Sequence, residues 1–242
     1  MRLHRFFVGE KGAKQIGEQK RLDIFDADLI HQWKKVFRLG TGDNVILFDG
    51  SGREYTCKIE MLSKESAQIS VGESRTVPTA KKDVWLCMAI VKKDNFEWIV
   101  EKGTEIGVNH FVPVVAERSE KKDLNMERLI KIAREASEQS GRGTVPEIHP
   151  VMTLEDIFSN SNDSFFKFPA HKIAFDPGGI AMISKDTSDT EPVAIFIGPE
   201  GGWSEKEIEF FKKQEVDLKT MGNQILRAET AAVATATLFL MG

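Results

Sequence analysis

The sequence is poor in cysteine and contains a single tyrosine. Its 242 residues include two cysteines, Cys57 and Cys87, and each stands alone in a strand-like run. No cysteines and histidines occur at the spacing of metal ligands, so the sequence predicts no metal. We expect both thiols to be buried and free, which suits a reducing cytoplasm.

Long apolar runs are also missing. The longest, residues 231–241, is interrupted by Thr235 and Thr237 and is too short to span a bilayer. The first residues have neither the apolar core nor the small-residue cleavage site of a signal peptide. We therefore expect a cytoplasmic protein with no membrane partner.

A strong excess of positive charge, which is typical of nucleic-acid binding, is absent. The formal net charge is -4 at pH 7, with a small positive balance over residues 1–72 and a negative one over the remainder. Because an RNA-binding surface needs a basic patch rather than a basic protein, this weakens an RNA-binding role without removing it.

Several motifs of common enzymes are missing too. The sequence has no Gly-x-Gly-x-x-Gly after the strand at residues 84–91, no Walker-type phosphate loop, no Gly-x-Ser-x-Gly and no His-Glu-x-x-His. Dehydrogenases, ordinary methyltransferases, kinases, hydrolases and metalloproteases therefore lack their usual signatures here.

The pattern of secondary structure changes after residue 72. Before it, short strands surround one predicted helix at residues 26–37, which favours a small β-barrel. One strand of this part shows the alternation of a half-buried strand at Tyr55, Cys57, Ile59 and Met61. Residues 72–82 are mostly polar and include Pro78, so we place the domain boundary there.

Residues 73–242 alternate apolar strands with helices, which favours a mostly parallel α/β sheet covered on both sides. We predict helices at residues 93–107, 124–140 and 204–212, with Ser204 as an N-cap, and a loop at residues 159–168. The predicted strands are residues 84–91, 111–115, 172–175, 193–197 and 216–218.

The most informative motif follows the strand at residues 193–197. It reads Gly198-Pro199-Glu200-Gly201-Gly202 and directly precedes a helix. An isolated turn of this kind is more often a simple strand-to-helix connection. However, paired glycines also expose bare backbone to a ligand, and Glu200 can accept hydrogen bonds from an amine or from ribose hydroxyls.

A second segment, Met221 to Ala231, follows about 20 residues later and contains Arg227 and Glu229. Glu229 at the start of an apolar helix is favoured by the helix dipole, and Arg227 would then be its salt-bridge partner. Alternatively, the guanidinium of Arg227 holds a phosphate or a base edge. Chemistry alone leaves both roles open.

The final helix, residues 231–241, is apolar nearly all round. Such a helix must be buried within the fold or against another subunit. Since little chain remains to cover it, we expect a homodimer.

Two segments resemble the bacterial 16S ribosomal RNA uracil-N3 methyltransferase family: Gly198-Pro199-Glu200-Gly201-Gly202-Trp203-Ser204 and Ile225-Leu226-Arg227-Ala228-Glu229-Thr230-Ala231. The resemblance extends to residues 5–8, 36–39, 101–108, 117–119 and 138–142, and so covers nearly the whole chain. Met221 and Gln224 stand where the family usually has leucine and arginine, and Trp203 replaces a phenylalanine.

The resemblance implies an α/β protein of two domains. Residues 1–72 would form a PUA-like RNA-binding β-barrel. Residues 73–242 would form a trefoil-knotted methyltransferase domain of the SPOUT class, an exception to the rule against threaded chains. The cofactor would be S-adenosyl-L-methionine, and a homodimer through the knotted domain and C-terminal helix would complete the site.

The same resemblance implies the site residues. The cofactor loops would be residues 175–178, 197–202 and 221–226, through Phe175, Ile197, Gly198, Pro199, Glu200, Gly201, Gly202, Met221, Gly222, Gln224, Ile225 and Leu226. Contacts to 16S ribosomal RNA of the small ribosomal subunit would come from Arg2, Arg5, Lys34, Lys35, Arg38, Arg118 and Arg142.

The implied reaction is attack of uracil N3 on the methyl group, with Arg227 orienting the base and Glu229 or Glu200 as general base. Two alternatives stay open. One is a non-catalytic RNA-binding ribosome-assembly protein that keeps a vestigial cofactor fold. The other is a knotted methyltransferase acting on a different RNA, since no sequence motif fixes the target base.

Overall fold

In the part of the chain that the structure describes, the strands form two sheets. The computed structural model describes residues 3–9, 16, 20–80, 82–119, 123–160, 166–182 and 191–241. The chain divides into a first unit, Met1–Thr79 with Ser137–Val145, and a second unit, Ala80–Ala136 with Pro146–Gly242. Each unit contains one of the sheets.

The first unit contains a five-stranded sheet in the order β1-β3-β4-β5-β2. The pair β1 and β3 is parallel and the other pairs are antiparallel. Helix α1 (Ala27–His31) continues as a π-helical turn at Gln32–Val36. The strands are β1 (Arg5–Phe7), β2 (Arg21–Ile24), β3 (Asn44–Phe48), β4 (Arg53–Leu62) and β5 (Ala67–Thr76).

The predicted boundary after residue 72 would cut strand β5, which runs on to Thr76. The first unit also includes a segment distant in sequence, Ser137–Val145. The carboxylate of Glu138 accepts the N–H of Phe7 at 2.9 Å, and the N–H of Gly52 donates to the carbonyl of Gly143 at 3.1 Å. Such long-range hydrogen bonds leave no local signal in the sequence.

The core of the first unit follows the predicted alternation with one departure. Cys57 and Ile59 are buried around the fully buried Trp33, but the side chain of Met61 is 45% exposed. The reason is a register shift between Ile59 and Met61 in the pairing of β4 with β5, which turns Met61 to the other face.

The second unit contains a parallel sheet in the order β12-β10-β11-β6-β7-β8, with β9 also paired to β7. Its strands are β6 (Val84–Ala89), β7 (His110–Val115), β8 (Glu147–Ile148), β9 (Met152–Thr153), β10 (His171–Ala181), β11 (Val193–Ile197) and β12 (Asp217–Thr220). Its helices are α2 (Lys93–Ile106), α3 (Met126–Ser140), α4 (Leu154–Asn160), α5 (Glu205–Lys213) and α6 (Ala228–Met241), and α3 ends within the first unit.

The parallel α/β arrangement predicted from the sequence is confirmed, and every residue of β6 and β11 is buried, as expected for strands covered on both faces. The N-cap of α5 at Ser204 is also confirmed, and Glu207 completes a capping box with it. The short elements β2, β8, β9 and α4 were not predicted, and α4 overlaps the start of the predicted loop, of which residues 161–165 lie outside the described residues.

Both cysteines are buried and free, as predicted. Burial raises the pKa of the Cys57 thiol to about 11 and that of Cys87 well above its usual value. Both thiols are therefore protonated and unreactive at neutral pH. Among the helices of the described residues, none is both long and apolar enough to cross a membrane.

We expect Gly103→Ala to destabilise the second unit. A Cβ at Gly103 would lie 2.7 Å from the ring of Phe111, which is buried and has no room to withdraw. Although alanine favours helices by about 1 kcal/mol over glycine, the overpacking should lower the free energy of unfolding by about 1–3 kcal/mol. Urea unfolding followed by circular dichroism measures the change.

The control is Gly40→Ala, because a Cβ there would meet nothing within 4 Å. That variant should stay within about 0.5 kcal/mol of the wild type. A Gly103→Ala protein as stable as the control would show that the contact with Phe111 does not restrict this position.

Candidate active site

The three segments implied to bind the cofactor come from three neighbouring strands of the second sheet. Two of them follow the ends of β11 and β12, and the third lies within β10, which is between those strands. Strand β10 lies between β11 and β12, and Phe175 pairs with Ile197 on one side and with Lys219 on the other. Because the strands are parallel, their carboxyl ends point the same way. The sheet thus brings together the segments 175–178, 197–202 and 221–226.

The turn after β11 presents backbone rather than side chains. The N–H of Gly202 donates to the carbonyl of Pro199 at 2.8 Å, and Gly202 has a φ of +67°, which favours glycine. Pro199 is buried and Glu200 is exposed. The turn leads directly into the N-cap of α5, so the free N–H groups of that helix start beside it.

Trp203 ties this turn to the end of β10. Its side chain is 4% exposed, and its Nε1 donates to the carbonyl of Phe175 at 3.2 Å. A Cβ at Gly198 would lie 3.2 Å from its ring, and the ring packs edge-on against Phe211 with centroids 5.0 Å apart. The phenylalanine usual in the resembled family has no N–H for this hydrogen bond.

Arg118, after strand β7, holds the same turn from another side. Its guanidinium donates to the carbonyl of Gly201 at 2.9 Å and to that of Trp203 at 3.3 Å. Next to it, the N–H of Glu117 donates to the carboxylate of Glu207 at 2.9 Å. Arg118 was predicted as an RNA contact, but the structure engages it with the turn.

The predicted loop after β10 is a bulge inside a longer strand. Both Phe175 and Ile180 pair with Lys219, so residues 176–179 leave the ladder between them. The N–H of Gly178 donates to the carboxylate of Asp176 at 2.8 Å. A Cβ at Gly179 would lie 2.6 Å from the backbone of Lys219, so this close approach requires glycine.

The third segment follows β12 and is open to solvent. The hydroxyl of Thr220 donates to the carbonyl of Gly222 at 3.2 Å, and Gly222 has a φ of +123°. The side chain of Ile225 is 88% exposed, that of Gln224 is exposed, and those of Met221 and Leu226 are half-buried.

Arg227 and Glu229 lie where the third segment meets α6. Arg227 is exposed and directly precedes the helix, and the half-buried Glu229 occupies the first turn as predicted. Within the part of the chain that the structure describes, these two side chains form no ion pair with each other.

The basic residues predicted to contact RNA differ in their surroundings. Arg5 Nε lies 3.2 Å from the carboxylate of the buried Glu54, which also pairs with Arg75. Lys34 Nζ donates to the carbonyl of Ser63 at 3.1 Å. Arg5 and Lys34 are therefore engaged within the first unit.

Among the other predicted RNA contacts, Lys35 and Arg38 are exposed in the first unit. Arg142 is half-buried and its Nε donates to the hydroxyl of Thr144 at 2.9 Å. Burial lowers the pKa of Arg142 to about 10, so its guanidinium stays charged at neutral pH. Arg2 lies outside the described residues.

Sequence reasoning missed the positioning roles of Trp203, Arg118 and Glu207. Trp203 follows the double glycine directly, and a large aromatic residue at that place is a signal for a buried anchor. Arg118 and Glu207 had no such signal, because their contacts join segments about 80 to 90 residues apart.

Comparison with known proteins decides the family. Residues 78–240 match the family described as RNA methyltransferase domain, and residues 34–72 match the RNA methyltransferase PUA domain. The ribosomal RNA small subunit methyltransferase E of Bacillus subtilis is 31% identical over 242 residues, which cover 95% of this chain and 93% of that protein. The chain belongs to the ribosomal RNA small subunit methyltransferase E family.

Other relatives agree over nearly the full length. The protein of the same name from Rickettsia conorii is 28% identical over 244 residues, covering 100% of this chain and 97% of that one. The crystal structure of the Neisseria gonorrhoeae protein, bound to S-adenosyl methionine, superimposes with a TM-score of 0.83 at 25% identity, covering 97% and 95% of the two chains. The family resemblance found in the sequence is confirmed, and so is a PUA-like domain.

We expect Trp203→Phe to destabilise the protein by weakening the link between β10 and the turn after β11. The substitution keeps an aromatic ring in a buried place but removes the hydrogen bond to the carbonyl of Phe175. The free energy of unfolding should fall by about 1–2 kcal/mol. Chemical denaturation of the purified protein measures this.

Trp98→Phe is the matched control, since the side chain of Trp98 is 41% exposed. Its stability should change by less than about 0.5 kcal/mol. Equal stabilities of the two variants would mean that the hydrogen bond from Trp203 to Phe175 does not stabilise the link between β10 and the turn after β11.

Proposed function

We propose that this protein transfers a methyl group from S-adenosyl-L-methionine to N3 of one uridine in the decoding region of 16S ribosomal RNA. The observation that carries the proposal is the gathering of three turns at neighbouring strand ends, in a chain of this family. The S-adenosyl methionine bound to the Neisseria gonorrhoeae relative supports the same cofactor here.

The residues of the three turns fit such a cofactor. A Cβ at Gly202 or at Gly222 would have nothing within 4 Å, so backbone there is open to a ligand. The exposed Ile225 offers apolar surface to an adenine ring, and the exposed carboxylate of Glu200 can accept from ribose hydroxyls or an amine. We assign cofactor binding to Phe175, Ile197, Gly198, Pro199, Glu200, Gly201, Gly202, Met221, Gly222, Gln224, Ile225 and Leu226.

When bound, S-adenosyl-L-methionine supplies a methyl group that its cationic sulfur has already activated. The main work of the protein is then to align uracil N3 with that group, and good alignment is worth effective molarities of about 10⁵ M or more. The turn fixed by Trp203 and Arg118 provides rigid backbone for this purpose. Rigidity at this edge therefore supports the proposed reaction.

Two acidic residues are candidates to take the N3 proton. Glu229 is half-buried in the first turn of α6, and Glu200 is exposed in the turn after β11. A general base at either place would contribute about 10²–10⁴-fold. Arg227, next to Glu229, would orient the uracil or balance the negative charge that develops on it.

Since N3 lies on the Watson–Crick edge, the target uridine must be unpaired or flipped out. We propose that the PUA-like unit contacts phosphates of the RNA through its basic residues, with the exposed Lys35 and Arg38 best supported. Arg118 is better assigned to positioning the turn. We place this reaction in the cytoplasm, on the small ribosomal subunit.

We also propose that the second unit is a trefoil knot of the SPOUT class. Strand β12 lies at the edge of the sheet, yet the next element, α6, packs on β6 and β11 and against α2. The chain must therefore pass back across the carboxyl-terminal side of the sheet, where the three segments lie. That path is the one expected if the C-terminal segment threads a loop.

We expect a homodimer through α6. Leu238 and Met241 on this helix are 45% and 70% exposed, and Trp98 on the neighbouring α2 is 41% exposed. Burial of such a surface by a second copy would stabilise the pair through the hydrophobic effect. Leu238→Glu should then give a monomer in sedimentation equilibrium, because it would bury a charge in the interface.

Met61→Glu is the control for the dimer, because Met61 is also 45% exposed but belongs to the first unit. It should leave the oligomeric state unchanged. A wild-type protein that sediments as a monomer would rule out this interface.

Methyl transfer tests the proposed function directly. Labelled S-adenosyl-L-methionine is incubated with small ribosomal subunits that lack the modification, and the product is mapped by mass spectrometry. We expect one methyl group at N3 of one decoding-region uridine. Clear cofactor binding without transfer would instead support an assembly factor or a different RNA target.

The role of Arg227 is tested in the same assay. Arg227→Ala should lower kcat by about 10²-fold, because it removes a positive charge needed in the transition state. Cofactor affinity should change by less than about threefold, and Arg227→Lys should recover part of the rate, since it keeps the charge. Normal kcat in Arg227→Ala would show that Arg227 has no part in the reaction.

A further inference from the structure

A second cluster of polar side chains lies on the opposite side of the parallel sheet, at the amino ends of its strands. His110 is the first residue of β7, Glu147 is the first residue of β8, and His149 follows β8. Since the three turns lie at the carboxyl ends of the strands, this cluster is separate from the candidate active site. One potential ligand atom from each of these three residues lies within 4.8 Å of the other two.

Two distances within the cluster are close to those of atoms that share a metal ion. His110 Nδ1 lies 3.1 Å from His149 Nε2 and 3.4 Å from Glu147 Oε2. Zinc–nitrogen bonds of about 2.0–2.1 Å in a tetrahedron place neighbouring ligand atoms about 3.3 Å apart. A tetrahedral ion therefore fits on these three atoms with small side-chain adjustments.

Asp83 provides the outer carboxylate that usually accompanies a metal-binding histidine. If Nδ1 of His110 binds the ion, Nε2 carries the proton, and this atom lies 3.6 Å from Oδ1 of Asp83. That oxygen is buried and makes no hydrogen bond in the described structure. With an ion on Nδ1 of His110, the N–H at Nε2 of the same ring would point at this oxygen of Asp83.

Trp85 fixes the orientation of both imidazoles. Its ring stacks on His110 with centroids 3.9 Å apart and on His149 with centroids 4.8 Å apart. Its Nε1 donates to the other carboxylate oxygen of Asp83 at 3.3 Å. The two rings are therefore held in place before any ion arrives, which favours binding.

A hydrogen bond between two neutral imidazoles would explain the 3.1 Å distance by itself. It accounts less well for the convergence of a third atom, since Oε2 of Glu147 also lies 3.4 Å from His110 Nδ1. The other oxygen, Oε1, contacts the outer nitrogen of His149, Nδ1, at 3.7 Å.

We propose that His110, Glu147 and His149 bind one divalent transition-metal ion, for which Zn²⁺ is the best match. Two imidazoles and one carboxylate are a common ligand set of Zn²⁺, and water can reach the remaining position beside Glu147, whose side chain is 63% exposed. The ion would join the start of β7 to β8, a strand of two residues. The role of the ion is to stabilise the pairing of β8 with β7, and methyl transfer does not require the ion.

The test uses the full-length protein, freed of metal with a chelator and titrated with Zn²⁺ alone in a calorimeter. We expect saturable binding of one ion per chain. A hundredfold excess over Kd should raise the Tm by about 5 °C, because the ion binds the folded state. Absence of saturable binding up to about 1 mM Zn²⁺ would overturn the proposal.

Variants locate the ion. Glu147→Gln and His110→Asn should each weaken Zn²⁺ binding by at least about tenfold, and Asp83→Asn by about tenfold. His171→Asn is the matched control, because His171 starts β10 at the same edge and lies 3.9 Å from the carboxylate of Asp217. Its affinity should stay within about twofold of the wild type.

Two results would contradict the assignment. One is wild-type affinity in Glu147→Gln or in His110→Asn, and the other is loss of binding in His171→Asn. If His110→Asn does not fold, Glu147→Gln decides, because the exposed side chain of Glu147 is not needed for packing.

Discussion

Trp203 joins parts of the second unit that are distant in the sequence. Its N–H reaches the carbonyl of Phe175, just before the bulge in β10, its ring fills the space beside Gly198 after β11, and its edge packs against Phe211 of α5. Arg118 then binds the carbonyl of Trp203 from the end of β7. The proposed cofactor turns are positioned by this buried side chain, which adds to the strand ladder and the shared hydrophobic core of β10 and β11.

From its residues, the sequence predicted two ligand-binding segments, the turn at 198–202 and the segment from Met221 to Ala231, each after an apolar strand. The family resemblance added the segment 175–178. The sequence was not sufficient to predict how these segments are held. The bulge at residues 176–179 depends on both Phe175 and Ile180 pairing with Lys219, and Arg5 is engaged by Glu54, which lies 49 residues away. Such pairings are set by the tertiary structure and leave no local pattern.

The histidine cluster shows the same limit for metal sites. Its two histidines are 39 residues apart, and Glu147 lies beside only one of them in the sequence. Ligand spacing in a sequence identifies ions held by one or two short loops. It does not identify ligands that neighbouring strands of a parallel sheet bring together, so the proposed site could not have been found from ligand spacing.

We propose that the bulge in β10 and the turns after β11 and β12 together hold the cofactor. Hydrogen–deuterium exchange with and without S-adenosyl-L-methionine tests this proposal. We expect the cofactor to protect amides in residues 175–178, 197–202 and 221–226, and to leave those of β8 and the first unit unchanged. Saturating cofactor that protects one turn alone, or residues elsewhere, would contradict it.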